Sequence, residues 1–227
     1  MENLANIQVI QNMIYIISSV MFIIGIKMLG KEATAVKGNY LSALAMFFAV
    51  AITCLSLEID IKIILTGVLL GGLIGSLIAV KVKMTAIPEM VALFNGFGGM
   101  SSLLVALGMS LFDTSDLEEN IKLVTNISIA VSIFVGAITF SGSIAAMAKL
   151  QGWLATPGWT QLKARHFVNI IFGVISLIAF VSLLKGNPSS IWLLVTSSTL
   201  LGIGVTLPIG GADMPVVISL LNSYSGI

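Results

Sequence analysis

Hydrophobic positions in this chain form long runs that carry no charged residue, and the charges collect in short segments between them. A helix needs about 20 apolar residues to cross a hydrocarbon core of about 30 Å. Seven runs reach that range, which predicts an all-α, polytopic transmembrane helix bundle in one domain, residues 1–227. The predicted helices cover residues 6–29, 38–57, 62–80, 89–112, 123–148, 167–184, 190–209 and 214–227.

The eighth run is shorter than a membrane crossing. Its 14 residues, 214–227, are the last of the sequence, and at about 1.5 Å per residue they reach only about 21 Å. The run is either a half-helix or a span whose continuation lies beyond the given sequence. We expect the second, so the bundle has about eight helices with the last one incomplete.

Charges in the connecting loops alternate in sign. Basic residues dominate the first, third and fifth loops, which carry Lys31 and Lys37, then Lys81 and Lys83, then Lys149, Lys163 and Arg165. Acidic residues dominate the second and fourth, which carry Glu58 and Asp60, then Asp113, Asp116, Glu118 and Glu119, against Lys62 and Lys122. Positive loops stay in the cytoplasm. The N-terminus is therefore predicted outside and Asp213 at the cytoplasmic end of helix eight, with Lys185 in the sixth loop as a minor exception.

Composition narrows the class of protein further. The chain is 57% hydrophobic and 9% charged, whereas soluble domains carry about 25% charged residues. A net charge of +1, without a basic stripe, argues against a nucleic-acid partner. One cysteine, Cys54, excludes an intrachain disulfide and a cysteine-cluster metal site, and we expect it to be a small buried hydrophobe. The N-terminus lacks the positive segment of a signal peptide, so helix one is expected to be retained.

Small residues predict two close helix contacts. Gly67, Gly71 and Gly75 repeat every four residues on helix three, a spacing that allows close approach of another helix of this chain or of a second one. The segment "NGFGG", residues 95–99, looks superficially like a phosphate-binding loop. It lacks the required glycine spacing and lies in an apolar run, so helix packing is the better interpretation.

Three helices carry small and polar residues along one face at membrane depth. These are Ala92, Asn95, Gly99 and Ser102 on helix four, Ser132, Gly136, Thr139 and Ser143 on helix five, and Ser219, Asn222 and Gly226 on helix eight, with Ser223 and Ser225 beside them. Such residues either join helices through hydrogen bonds or line a water-filled path. The pattern leaves both open.

Three titratable residues lie at predicted helix starts. Asp213 precedes "MP" and fits an N-cap, or a relay between the membrane and a cytoplasmic partner. Glu89 follows Pro88 in the first turn of helix four, where a carboxylate suits the helix dipole. His166, the single histidine, is of the type that carries protons near neutral pH, but beside Arg165 an interfacial role is the simpler reading.

Several blocks of the chain resemble a known family. The segment "GADMPVVISLLNSYSG", residues 211–226, is similar to the signature of the beta subunit of the proton-translocating NAD(P) transhydrogenase. Earlier blocks, "VKMTAIPEMVALFNGFGG", "TFSGSIAAMAKLQG" and "ARHFVN", resemble that subunit in the same order. The resemblance covers essentially the whole chain.

The resemblance implies a proton-conducting membrane part whose attached soluble domains transfer hydride from NADH to NADP⁺. It implies that this segment binds no cofactor: NAD(H) belongs to an alpha-type partner subunit, and NADP(H) to a domain that follows one further helix after Ile227. It also implies a multi-pass protein of the cell inner (plasma) membrane, in contact with lipid, in a homodimer of protomers. No catalytic residue is expected in this segment.

Site residues are carried over by position. Asn222 matches the family's mid-membrane asparagine in the proton path. Ser143 matches a serine on a neighbouring helix, and Asp213 matches the acid that faces the NADP(H) domain. With Asp213, we assign Arg165, His166 and Glu89 to coupling with that domain. Asn95 departs from the pattern, because many bacterial relatives have a proton-carrying histidine there. Since an amide does not titrate near neutral pH, that histidine is expected on the alpha-type subunit.

The predicted mechanism is a water chain through helices four, five and eight, lined by Asn95, Ser143 and Asn222. Protonation of a group near this water chain changes the cytoplasmic mouth around Asp213 and Arg165. That change alters how the NADP(H) domain docks. One alternative is a secondary transporter, which would show internal repeats; the two halves show no convincing similarity. A second is a non-catalytic membrane scaffold for a soluble partner.

Overall fold

The computed structural model describes residues 2–56, 61–112, 118–154, 158 and 164–226. These residues form α-helices and short 3₁₀ turns, without a strand among them. The helices are α1 Glu2–Leu29, α2 Glu32–Ser56, α3 Ile61–Lys81, α4 Ile87–Met109, α5 Glu119–Leu150, α6 Ala164–Leu184, α7 Ser190–Thr206 and α8 Met214–Ser225. The predicted all-α, polytopic helix bundle is confirmed. Five of the loop charges used for orientation, Glu58, Asp60, Asp113, Asp116 and Lys163, lie outside the described residues.

Six of these helices, α1 to α6, are long and apolar enough to cross a membrane. The sequence predicted a seventh crossing to residue 209, but α7 has 17 residues and ends at Thr206. Pro208 follows two residues later, and a proline cannot supply the N–H that a continuing helix requires. The chain then bends by 112° between α7 and α8, so that pair adds at most one span.

The described residues divide into two compact units, 1–77 and 78–227. In the first unit, α1 and α2 approach closely at Gly25 and Gly38: a Cβ added to Gly38 would lie 2.7 Å from the Gly25 carbonyl oxygen. The Tyr15 hydroxyl and the Thr53 hydroxyl, 2.9 Å apart, also join the two helices. Cys54 is half-buried, not buried as expected, because it lies near the end of α2.

Helix α3 exposes its glycine seam. It has no buried residue, and a Cβ added at Gly67, Gly71 or Gly75 would meet no heavy atom within 4 Å. The tight contact predicted for these glycines is therefore not made within the described part of the chain.

Helix α5 is the centre of the second unit, where α4, α6, α7 and α8 all pack against it. Its twelve buried residues are small except for Ile129 and Ile133. Because lipid gives helices no hydrophobic reason to associate, such small side chains stabilise the bundle by letting backbones come close. A second buried cluster of this unit joins Ala92 of α4, Ala146 of α5, and Met214 and Ile218 of α8.

A ladder of hydrogen bonds connects α6 with α7. The Ser176 hydroxyl donates to Ser197 at 2.8 Å, and the hydroxyls of Ser182 and Ser190 are 2.6 Å apart. At the opposite end of the pair, Asn169 Nδ2 donates to the Gly204 carbonyl at 3.1 Å. The partners on α7 are Ser190, Ser197 and Gly204. They are seven residues apart, so they lie on the same face of the helix.

Candidate functional site

The polar faces of α4 and α5 meet in a seam built on two glycines. A Cβ added to Gly99 would lie 2.9 Å from the Gly136 carbonyl oxygen, and one added to Gly136 would lie 2.8 Å from that of Gly99. The two backbones are therefore nearly in contact. This confirms the helix-packing interpretation of the "NGFGG" segment.

One turn along this seam, two predicted site residues form a hydrogen bond. Asn95 Nδ2 donates to Ser143 Oγ at 2.8 Å. Ser143 is fully buried, whereas Asn95 is half-buried and reaches the surface of the α4–α5 pair. The close glycine contact at Gly99 brings α4 near enough for this bond, since Asn95 and Gly99 are four residues apart on one face.

A cleft of about 710 Å³ between α4 and α8 adjoins this bond. Its polar lining consists of Asn95, Ser219, Asn222 and Ser225, and at one end of it lie Pro88 and Pro215. Asn222 is exposed in this cleft. The structure thus joins Asn95 to Ser143 by a hydrogen bond and to Asn222 through a shared polar space.

Asp213 occupies the N-cap of α8, as the sequence predicted. Met214 and Pro215 fill the first positions of that helix, and proline suits the first turn because its missing N–H would have no partner there. The carboxylate, however, does not form the capping hydrogen bond and is exposed. The cap position is confirmed, and the carboxylate faces outward.

Glu89 lies in the first turn of α4, where the negative charge suits the helix dipole. Its Oε2 accepts a hydrogen bond from Gln151 Nε2 at 2.8 Å, which joins the start of α4 to the end of α5. At the start of α6, Arg165 Nε donates to His166 Nε2 at 3.2 Å. The residues predicted at the cytoplasmic mouth therefore occupy three separate helix starts, those of α4, α6 and α8.

Lys149 is a structural contact that the sequence analysis counted only as a loop charge. Its Nζ donates to the carbonyl oxygens of Leu207 and Ile209, each at 2.5 Å. The last carbonyls of a helix lack partners in their own helix, and the helix dipole favours a cation there. Lys149 thus fixes the turn between α7 and α8, just before Asp213. No local sequence pattern pairs a lysine with carbonyls 58 and 60 residues away.

No group of three or more histidine, cysteine, aspartate or glutamate side chains within the described ranges could hold a metal ion. The polar groups that line the α4–α8 cleft are neutral amides and hydroxyls, which orient water but do not change charge near neutral pH. Chemically, this arrangement suits the passage of a proton along water better than its storage.

Comparison with known proteins gives a consistent result. Residues 11–227 match the family model of the NAD(P) transhydrogenase beta subunit. Two curated relatives from Rhodospirillum rubrum, each named NAD(P) transhydrogenase subunit beta, are 36% identical over 216 residues. The alignment covers 93% of this chain and 47% of each relative, so the chain spans about half the length of the curated relatives it matches.

Proposed function

Because the chain belongs to the NAD(P) transhydrogenase beta-subunit family, we propose that it is the proton-conducting membrane part of that enzyme. In this proposal it couples proton movement across the cell inner membrane to hydride transfer from NADH to NADP⁺. The hydride transfer takes place in attached soluble domains, with NAD(H) on an alpha-type partner subunit. This segment binds neither nucleotide.

The observation that carries the proposal is the pairing of Asn95 with Ser143 beside Asn222. Polar side chains at membrane depth are costly and mark ion or proton pathways when they face the bundle interior. Here an amide and a hydroxyl from two helices are hydrogen-bonded, and a second amide lines the adjoining cleft. A chain of water molecules in that cleft would find donors and acceptors on both walls.

The titrating group of the path is proposed to come from another subunit. Asn95 does not gain or lose a proton near neutral pH. Its half-buried side chain and the exposed Asn222 face a space that a partner helix can approach. We therefore expect a histidine on a membrane helix of the alpha-type subunit to face Asn95 and Asn222.

Coupling to the NADP(H) domain is proposed to run along α8. Nine residues separate Asp213 from Asn222, about 13 Å of helix rise. A change of hydration or charge beside Asn222 would shift α8 and with it the outward-facing Asp213, where the soluble domain docks, near Arg165, His166 and Glu89. Such coupling is a free energy shared by two sites, so nucleotide state must alter proton affinity equally.

The test is Asn222→Leu in the complete complex, with the full beta subunit and its alpha-type partner in liposomes. We expect proton translocation coupled to hydride transfer to be lost while the complex still assembles, because leucine fills the volume without offering a hydrogen bond. Ser223→Ala is the matched control, since the neighbouring Ser223 is exposed and does not line the α4–α8 cleft. Normal pumping by Asn222→Leu would remove this residue from the path. Hydride transfer by the wild type without any pH change would favour the scaffold alternative.

A further inference from the structure

The turn between α7 and α8 contains two carbonyl groups that depend on a side chain for their hydrogen bonds. Leu207 is the C-cap of α7, and Ile209 follows Pro208. Neither of their carbonyl oxygens accepts a backbone hydrogen bond in the described turns and loops. Lys149 Nζ, at the end of α5, donates to both. Because a shielded carbonyl without a donor is costly, this ammonium group stabilises the present conformation of the turn.

Apolar residues surround this lysine where α5 packs against the start of α8. Ala146 of α5 lies in one buried cluster with Met214, the first residue of α8, and Met147 and Leu150 pack against that cluster. Met214 itself is fully buried. Apolar burial is non-directional, whereas an N–H···O bond depends on both distance and angle. The two bonds of Lys149 therefore define the path of the turn more closely than the apolar contact does.

Two glycines follow the turn and add no packing of their own. Gly210 and Gly211 are exposed, and a Cβ added to either would meet no heavy atom within 4 Å. Asp213 comes next but one, exposed and without a capping hydrogen bond. The position of its carboxylate therefore depends on the bonds of Lys149 before the glycines and on the buried Met214 after them.

We infer that Lys149 is a positioning residue for Asp213: by holding the α7–α8 turn, it fixes where this carboxylate meets the NADP(H) domain. The inference rests on the part of the proposed function that assigns Asp213 to coupling. Lys149 touches no nucleotide and acts only through the two carbonyls that it binds. Its loss should therefore alter the NADP(H) side of the reaction. The NAD(H) side should stay unchanged, because NAD(H) is proposed to bind on the alpha-type subunit.

The test compares Lys149→Met, which removes the donor, with Lys149→Arg, which keeps a cation with several N–H groups, in the complete complex. Hydride transfer is measured at varied NADP⁺ and, separately, at varied NADH. We expect Lys149→Met to change the KM for NADP⁺ by about 5-fold or more, the lower end of typical coupling between sites. The KM for NADH should equal that of the wild type, and Lys149→Arg should restore the KM for NADP⁺.

A double-mutant cycle separates positioning from simple stabilisation. If Lys149 acts through Asp213, the effects of Lys149→Met and Asp213→Asn on the KM for NADP⁺ are non-additive, because both changes remove one shared interaction. Effects that add would overturn the inference. Gly38→Ala is the control for lost stability, because its Cβ would lie 2.7 Å from the Gly25 carbonyl oxygen, within the first unit of the chain. An equal change of KM in that control would also overturn it.

The outcomes distinguish this inference from the proposed function. If Asn222→Leu abolishes pumping while Lys149→Met keeps the wild-type KM for NADP⁺, Lys149 has no positioning role and the proposed function stands. If Asn222→Leu pumps normally while Lys149→Met and Asp213→Asn change that KM non-additively, the proton path is wrong and the positioning role stands. Lys149→Gln, one bond shorter and uncharged, replaces Lys149→Met if the latter does not assemble. A wild-type KM for NADP⁺ in Lys149→Gln would equally overturn the inference.

Discussion

The contact between Gly99 and Gly136 sets the distance between α4 and α5, and one added methyl group tests it. A Cβ on Gly99 would lie 2.7 Å from the backbone nitrogen of Phe140, whereas ordinary Cβ contacts begin near 3.4 Å. Because the obstacle is backbone, the helices must separate locally by about 0.7 Å, the difference between those distances. Overpacking of this kind costs about 1–3 kcal/mol.

The same separation reaches the proposed proton path. Asn95 lies one turn from Gly99 on the same face of α4, and its bond to Ser143 is 2.8 Å long. A shift of about 0.7 Å would lengthen this distance to about 3.5 Å, beyond the usual 2.7–3.2 Å of an N–H···O hydrogen bond. We therefore expect Gly99→Ala to lower both the melting temperature and proton-coupled hydride transfer.

The assay compares thermal unfolding in detergent with proton translocation in liposomes, for the complete complex. Gly108→Ala is the matched control, because Gly108 lies on the same helix and an added Cβ there meets nothing within 4 Å. Alanine is favoured over glycine in a helix by about 1 kcal/mol, so the control should be as stable as the wild type or more so. A Gly99→Ala complex that melts and pumps like the control would refute the reasoning.

Two further substitutions test contacts between helices. Lys149→Met removes two charge-assisted hydrogen bonds to the carbonyls of Leu207 and Ile209, and we expect the free energy of unfolding to fall by about 1–3 kcal/mol. In thermal unfolding, Lys149→Arg should melt close to the wild type. Equal melting temperatures of the two variants would contradict this. Ser176→Ala should lower the free energy of unfolding by only about 0.6 kcal/mol, because Ser197 keeps its bond to the Leu193 carbonyl. A fall in melting temperature comparable to that of Lys149→Met would show that the α6–α7 hydrogen bonds contribute more than we infer.

Features that depend on residues close together in sequence were predictable. Charge-free runs identified the helices because an unpaired charged side chain is costly on a buried or lipid-facing helix. The facing stripes of α4 and α5 were visible too, since residues three and four apart share a helix face. The spacing of Asn95 with Gly99, and of Ser143 with Gly136, thus indicated the surfaces that meet, although the Asn95–Ser143 bond itself required the structure.

Features that pair distant residues were not predictable. The bond from Lys149 to the α7–α8 turn joins residues about 60 positions apart, and a lysine at a helix end fits a cytoplasmic loop equally well. Thr139 stood in a predicted stripe, but the sequence did not indicate that its buried hydroxyl has no hydrogen-bond partner among the described residues. The early end of α7 had a local signal in Pro208, but the uncharged run continued through it and suggested a longer helix.

If the proposed proton path operates, α5 can transmit its state to the soluble side. Three contacts in its last turns join it to its neighbours: Ser143 to Asn95, Lys149 to the α7–α8 turn, and Gln151 to Glu89. From Ser143 to Lys149 is six residues, about 9 Å of rigid helix. A displacement of α5 at Ser143 is therefore carried directly to the carbonyls that precede Asp213. Coupling requires an element with two arrangements that both sites bias. The α7–α8 turn fits that role because its part-buried carbonyls are held by one lysine rather than by a continuous helix.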